Sequence, residues 1–405
     1  MRILIVPAND WISGPKEYLN EIAEIIGKDH DVFVWHFNLR SHSELFVKRI
    51  ENVKIIRPPN IPSESLFLNY IVNFVPHSLY FAKSVRDLKI DIVIVLNLIP
   101  ALWAFFLTPS ETLKAYGYQD YYPESASVHY RNSPYTFRRM LESLALLVNR
   151  AAVRKADLTL CPVPSLVELA AEMGCKKNYL LNNGVDTVFY SPSKPDEQLR
   201  TRLGLSKHTL VFYGLIENWL NFDPVIDGLK LLKKKIPDLK LLVIGSSLTG
   251  YVEELNRKLR SADLTNDVVL TGHLPEEKIP SYLDLGSIAI APYRIDTYSG
   301  SIRLPVKFFI YSAMGKPILS VHLPEVQNLK PKHVFYYQDG ASFAQAAAKI
   351  FDDEKLQSDL GKYAMGFAKN FDYFKLAQEC EATLKNVWRE KRGLKNTPRA
   401  FKVVK

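Results

Sequence analysis

Cysteine is scarce in this chain. The 405 residues hold three, Cys161, Cys175 and Cys380, odd in number and far apart. That usage rules out a disulfide framework or a zinc cage and fits a reducing compartment. The nine histidines are scattered without metal-ligand spacing. The one Asp-x-Asp, Asp29-His30-Asp31, falls at a helix-to-strand turn and reads as structural. The first loop, PANDWISGP, carries a single glycine, Gly14, so the G-x-G-x-x-G fingerprint of a dinucleotide site is missing. Long apolar runs are missing too. MRILIVPAND is too short for a signal peptide and reads as a strand. Ile92–Ser110 is uncharged, but Asn97 and Pro100 interrupt it and its IVIV start is strand-like, against a spanning helix. No nucleic-acid motif occurs, and the basic residues are not interleaved with aromatics, so nucleic acid is not an expected partner.

What is present is ordinary globular material, 47% hydrophobic and 23% charged, long enough for two domains. The net charge of +9 is concentrated at Lys233–Lys235 and in the tail from Arg389, where seven basic residues face only Glu390. A basic excess suggests anionic company, phosphates or acidic lipid; for the tail alone, a solvated surface is an equal reading.

Strands and helices alternate from the start. Apolar runs predict strands at Arg2–Val6, Asp31–Phe37, Val53–Ile56, Ile90–Leu96, Leu113–Tyr118, Leu158–Pro162 and Tyr179–Leu181, with helices between. The first loop, with Gly14 and Lys16, either faces an acceptor or is a plain strand-to-helix turn. Leu66–Leu88 is an apolar helical stretch, broken at Pro76 and ending in Lys83, Arg86 and Lys89. It reads as a helix docked on an anionic membrane surface or as a buried one. Asp120 falls just past the carboxyl end of a strand, where parallel sheets place their chemistry. There it is a general base toward a hydroxyl or a turn acid before Pro123, and position alone leaves both open. Asn183–Gly184 marks the best boundary, after which the alternation restarts at Leu210–Tyr213, Lys240–Ile244, Val268–Leu270, Ser287–Ala291 and Ile318–Val321.

The stretch Pro292–Pro317 organises the second half. A polar loop with Arg294, Asp296, Ser299, Ser301 and Arg303 leads into a helix opened by Pro305 and closed by Gly315 and Pro317. Lys307 lies in the first turn of that helix and Arg303 just before it. Cations avoid helix N-termini, where the macrodipole is already positive, and a shared anion such as phosphate reconciles them.

Taken together, NNGVDTVFY, FYGLIENWLNFD, LLVIGSS, VVLTGHLPEEKIPSYL and LPVKFFIYSAMGKPI, in this order, resemble the GT-B glycosyltransferases of the group 1 type. The resemblance covers most of residues 155–320. It implies two Rossmann-like, doubly wound parallel-sheet domains facing a cleft: residues 1–185 on the acceptor side, 186–370 holding the donor, a helix over 371–388 crossing back, and a basic tail over 389–405. Lys307 matches the family lysine that contacts the donor diphosphate. Gly214, Asn218, Trp219, Gly245, His273, Arg294, Ser299, Ser301 and Arg303 fall in donor-facing segments, and Gly14 and Lys16 on the acceptor side. Asp120, in QDYYPE, matches an acidic position facing the reacting sugar. The family glutamate three residues after the lysine is replaced by Ile310, and a further acid by Ile302. The implied reaction is transfer of a sugar from a nucleoside-diphosphate-sugar to a hydroxyl of a saccharide, lipid-linked in glycan assembly. It would need no metal or other cofactor and run at the inner, cytoplasmic face of the membrane. The lost acids leave a catalytically silent scaffold as the alternative.

Overall fold

The computed structural model describes residues 1–12, 18–37, 51–63, 66–124, 133–296 and 298–394. The chain divides into two units, Met1–Asn182 with Tyr373–Lys405, and Asn183–Asp372.

The first unit is a seven-stranded parallel sheet. Its strands are β1 (Arg2–Val6), β2 (Asp31–Trp35), β3 (Val53–Ile56), β4 (Ile92–Val95), β5 (Leu113–Gly117), β6 (Leu158–Cys161) and β7 (Asn178–Leu180), in the order β3-β2-β1-β4-β5-β6-β7. Every residue of β4 and β6 is buried, as expected of parallel strands covered on both faces. The helix Tyr18–Ile26 packs against the last helix, Tyr373–Lys391. Tyr373, Leu376, Cys380 and Leu384 join the core of this sheet, so the end of the chain completes the unit that its beginning started.

The second unit is a six-stranded parallel sheet. Its strands are β8 (Thr209–Tyr213), β9 (Lys240–Ile244), β10 (Val268–Leu270), β11 (Ile288–Ala291), β12 (Ile318–Ser320) and β13 (Val334–Tyr336), in the order β10-β9-β8-β11-β12-β13. In both sheets the winding reverses beside the first strand, between β1 and β4 and between β8 and β11. In open α/β sheets ligands bind outside the carboxyl ends of the strands at this reversal. β13 has no counterpart in the sequence reading: Val334–Tyr336 is a strand of only three residues.

Two expectations need correction. The stretch Leu66–Leu88 is not one helix broken at Pro76 but two, Leu66–Val72 and Phe74–Asp87. Pro76 still sets the break, since it has no N–H to offer the Val72 carbonyl four residues back. The chain therefore turns three residues earlier, at Asn73, and Pro76 sits in the first turn of the second helix, where it is tolerated. The Asn73 side chain holds the turn by accepting from Ile61 N at 2.7 Å and donating to Ile61 O at 2.9 Å. Nor is the segment simply buried or simply exposed: His77, Phe81 and Val85 face inward, while Val75 and Leu79 are 64% and 69% exposed. No described helix is long and apolar enough to cross a membrane.

Candidate functional site

The site is assembled at the β8/β11 reversal of the second unit. Gly214 follows β8 and Gly245 follows β9, with φ of +126° and +146°, values that L side chains rarely adopt. A Cβ on Gly245 would lie 2.0 Å from the Gly214 carbonyl oxygen, so the two strand ends meet backbone to backbone. Gly214 N donates to Ile244 O at 2.9 Å, and Gly245 N to Gly272 O at 3.0 Å. These contacts join the ends of β8, β9 and β10 into one rim. Tyr311, fully buried, accepts from Tyr213 N at 2.8 Å and so clamps the last residue of β8.

The helix Val306–Ala313 follows β11, with Pro305 at its N-cap position. The predicted stop is met. Gly315, at φ +64°, donates to Ser312 O, and Lys316 N donates to Tyr311 O, the paired bonds of a Schellman ending. At the other end stands Lys307. A Cβ on Gly214 would sit 2.7 Å from its Nζ, so the glycine leaves the space that the ammonium fills. Nζ is 4.1 Å from the centre of the Phe212 ring and 5.3 Å from that of Tyr293, both buried. Among the described residues it has neither a hydrogen bond nor a carboxylate partner. Loss of hydration, with the Arg303 guanidinium nearby, pulls its pKa down from the usual lysine range to about 7. Arg303 lies over the rings of Tyr293 and Trp219, 5.4 and 5.9 Å from their centres. Two cations and three aromatic rings thus converge beside a glycine rim. Gathering two cations in a poorly hydrated place costs energy, which the ring faces offset in part and a bound anion would offset further.

The loop after β8 is held from three sides. Glu217, 1% exposed, accepts from Ser247 Oγ at 3.2 Å, from Leu248 N at 2.5 Å and from Thr249 Oγ1. Arg294 N donates to Trp219 O at 2.8 Å and its Nε to Leu220 O at 3.2 Å. Tyr251 OH donates to Leu220 O at 3.0 Å. Asn218 and Trp219 are exposed at the tip of this tied loop. Sequence reasoning passed over Glu217; a lone acid in the apolar run GLIENWL was the available signal.

The structure therefore brings together Lys307, Arg303, Gly214, Trp219, Arg294 and Gly245, with Asn218 on the same loop. His273 follows Gly272 on the rim and is exposed. Ser301 is half-buried in the short helix Tyr298–Ser301, while the side chain of Ser299 lies outside the described residues. Ile302 and Ile310, the positions at which the resemblance leads to an expectation of acids, are core residues, 9% and 7% exposed. Gly14 and Lys16 lie outside the described residues. In the first unit, the loop after β1 is anchored by Asp10, which accepts from Ile12 N at 3.0 Å and sits 3.0 Å from His36 Nδ1. Asp120 lies past the end of β5, exposed, its Oδ1 accepting from Tyr121 N at 2.8 Å and its carbonyl from Tyr122 N at 2.9 Å. These two bonds belong to the local turn, and the residue stands exposed past the strand end.

Residues 207–353 match the family model described as glycosyl transferases group 1. The second unit carries a group 1 glycosyltransferase domain. The chain as a whole has the GT-B fold of the glycosyltransferases it superposes on. Sucrose-phosphate synthase from Thermosynechococcus elongatus superposes with a TM-score of 0.72 at 15% identity, over 96% of this chain and 99% of that one. The Anabaena protein HepE, in complex with UDP-glucose, superposes with a TM-score of 0.70 at 15% identity, over 95% and 99%. In sequence, a Bacillus subtilis (strain 168) protein named for teichuronic acid biosynthesis as glycosyltransferase TuaH is 29% identical over 222 residues, 53% of this chain and 52% of its own. The chain spans about half the length of the curated relatives it matches, 52% to 60%. The group 1 domain covers the whole of the glycine rim, Glu217, Arg303 and Lys307.

Proposed function

We propose that this chain is a glycosyltransferase that moves a sugar from a nucleoside-diphosphate-sugar to a hydroxyl of a saccharide acceptor. The observation that carries the reading is Lys307, a poorly hydrated cation with no acidic partner among the described residues, at a sheet reversal and against a glycine. Lys307 and Arg303 bind the donor diphosphate and stabilise it as it leaves. Two fixed cations supply the positive charge that a divalent metal supplies elsewhere, so the reaction runs without one. Asp120 of the first unit takes the acceptor proton as the acceptor oxygen bonds to the anomeric carbon and the bond from that carbon to phosphate breaks. The UDP-glucose held by HepE favours a uridine donor. The naming of the B. subtilis relative for teichuronic acid favours a polysaccharide under assembly, with a lipid-linked acceptor on the cytoplasmic side.

Thermal stabilisation by a panel of UDP-, GDP- and dTDP-sugars identifies the donor, because a ligand specific to the native state raises the melting temperature. Donor-dependent release of nucleoside diphosphate on adding saccharide acceptors then reads turnover. Asp120→Asn is expected to lower that turnover at saturating substrates by about 100-fold or more; wild-type turnover would remove Asp120 from the mechanism. The buried Ile302 and Ile310 favour a second reading, a silent GT-B scaffold, and the two part on one result. A scaffold binds donor and releases no diphosphate with any acceptor.

A further inference from the structure

The helix Tyr135–Lys155 is turned inside out. Of its 21 residues the buried ones are Ala145, Asn149, Ala152 and Val153, mostly small. Its large apolar side chains point away from the unit: Phe137, Met140, Leu144 and Leu147 are 38%, 56%, 54% and 66% exposed. Their spacing, i, i+3, i+7, i+10, places them in one stripe almost three turns long. A helix of a globular domain buries such a stripe in its core. The neighbouring helix Leu98–Leu107 packs against this one and leaves Phe106 65% exposed, with Lys155 Nζ 5.0 Å from the centre of its ring. The helix Phe74–Asp87, packed in turn on Leu98–Leu107, adds Leu79. Each of the two neighbouring helices thus adds an exposed apolar side chain of its own.

Its charges are mostly of one sign. Tyr135–Lys155 carries Arg138, Arg139, Arg150, Arg154 and Lys155 against a single acid, Glu142, which Arg139 pairs at 3.1 Å. Leu98–Leu107 has no charge at all. Basic residues stand at both ends of the stripe, Arg138 and Arg139 before Met140, Arg150 and Lys155 after Leu147. Long cations flanking exposed aromatic and aliphatic side chains is the arrangement of a helix that lies in a lipid interface, its apolar groups among acyl chains and its cations at anionic headgroups. A protein partner would need an acidic apolar groove of matching length; a bilayer with anionic lipid offers both properties everywhere.

We propose that the stripe Phe137–Met140–Leu144–Leu147, with Phe106 beside it, docks the first unit on an anionic lipid surface. The surface is separate from the donor site and does not depend on the reading of that site. It also relocates the membrane contact expected from Leu66–Leu88 and the basic tail, making the first of these a flank.

Flotation of the full chain with phosphatidylcholine vesicles, with and without phosphatidylglycerol, tests it. The wild type is expected to float with the anionic vesicles and far less with the neutral ones. Leu144→Gln with Leu147→Gln, both on exposed positions, is expected to weaken partitioning by about tenfold or more. Arg150→Gln with Lys155→Gln is expected to weaken it by about fivefold per charge removed. Unchanged melting temperatures and unchanged nucleoside diphosphate binding show that the variants stay folded and that the donor site is untouched. The proposal is overturned if the wild type does not float with either vesicle, or if the leucine variant floats like the wild type. It is also overturned if light scattering shows a dimer that the leucine variant splits while its flotation stays unchanged, which would make the stripe an interface between copies.

Discussion

The helix Val306–Ala313 has a poorly hydrated lysine near each end, and the two are in opposite situations. Lys316, just past the C-terminus, donates through Nζ to Gly286 O at 2.7 Å, and its charge lies where the macrodipole welcomes it. Lys307, in the first turn, lies where the dipole repels it, with aromatic rings and a glycine for company. Burial pulls both pKa values down, to about 8 for Lys316 and about 7 for Lys307. The same desolvation thus acts on both, and the partners differ. Lys316 spends its charge inside the fold, tying the helix end to the turn before β11. Lys307 keeps its charge for something the chain does not supply.

Replacing each lysine by methionine, which keeps length and removes charge, should therefore give opposite results. Lys307→Met is expected to weaken nucleoside diphosphate binding by about 100-fold, the effect of removing one partner from a buried charge pair. Its unliganded melting temperature should hold or rise, since a poorly hydrated charge has been removed. Titration calorimetry with the diphosphate, beside a thermal melt without it, reads both. If the variant binds the diphosphate like the wild type, Lys307 is not the phosphate ligand.

The second test is pH. In the free protein Lys307 loses its proton around pH 7; with a diphosphate beside it, the charged form is favoured and its pKa rises. Below pH 7 the residue is charged in both states and contributes no pH dependence. Between about 7 and the raised value, binding takes up a proton, so affinity should fall with rising pH, by up to about tenfold per unit. Lys307→Arg, always charged, should flatten this slope. A wild-type profile that is flat from pH 7 to 9 would mean that Lys307 is fully hydrated in solution and that the comparison with Lys316 is false.

Lys316→Met should act on stability alone. Losing its bond leaves the Gly286 carbonyl without that donor and is expected to cost about 1–3 kcal/mol in urea unfolding, with diphosphate affinity unchanged. If affinity falls as much as in the Lys307 variant, the two ends of the helix do one job.

The difference between these lysines also marks where sequence reading stops. The helix itself was legible, because Pro305, Gly315 and Pro317 act through local backbone geometry, and so was the odd placement of Lys307 in its first turn. The role of Lys316 was not, since its partner is the carbonyl of Gly286, 30 positions away. The same limit explains Tyr311, which reads as one more core aromatic until Tyr213 N is found at its hydroxyl. Tyr135–Lys155 is one of the helices expected between strands, and the structure has it. Periodicity cannot say which face goes inward, and here the small residues Ala145 and Ala152 do.

Glu217 gives the smallest and most discriminating test, because it stands to the loop after β8 as Lys316 stands to its helix: a buried charge consumed by the fold. Its carboxylate serves three donors on the 247–249 segment, so the loop carrying Trp219, under Arg303, is set by a contact made one strand away. Glu217→Gln keeps the shape and surrenders one acceptor site, and should raise the donor KM by about threefold to tenfold, the weight of one ordinary hydrogen bond. The turnover number should stay near that of the wild type, because Glu217 touches neither reactant and only fixes where Trp219 and Arg303 stand. A fall in turnover with an unchanged KM would instead place this carboxylate in the chemistry, and the loop would then have to open to let a substrate reach it.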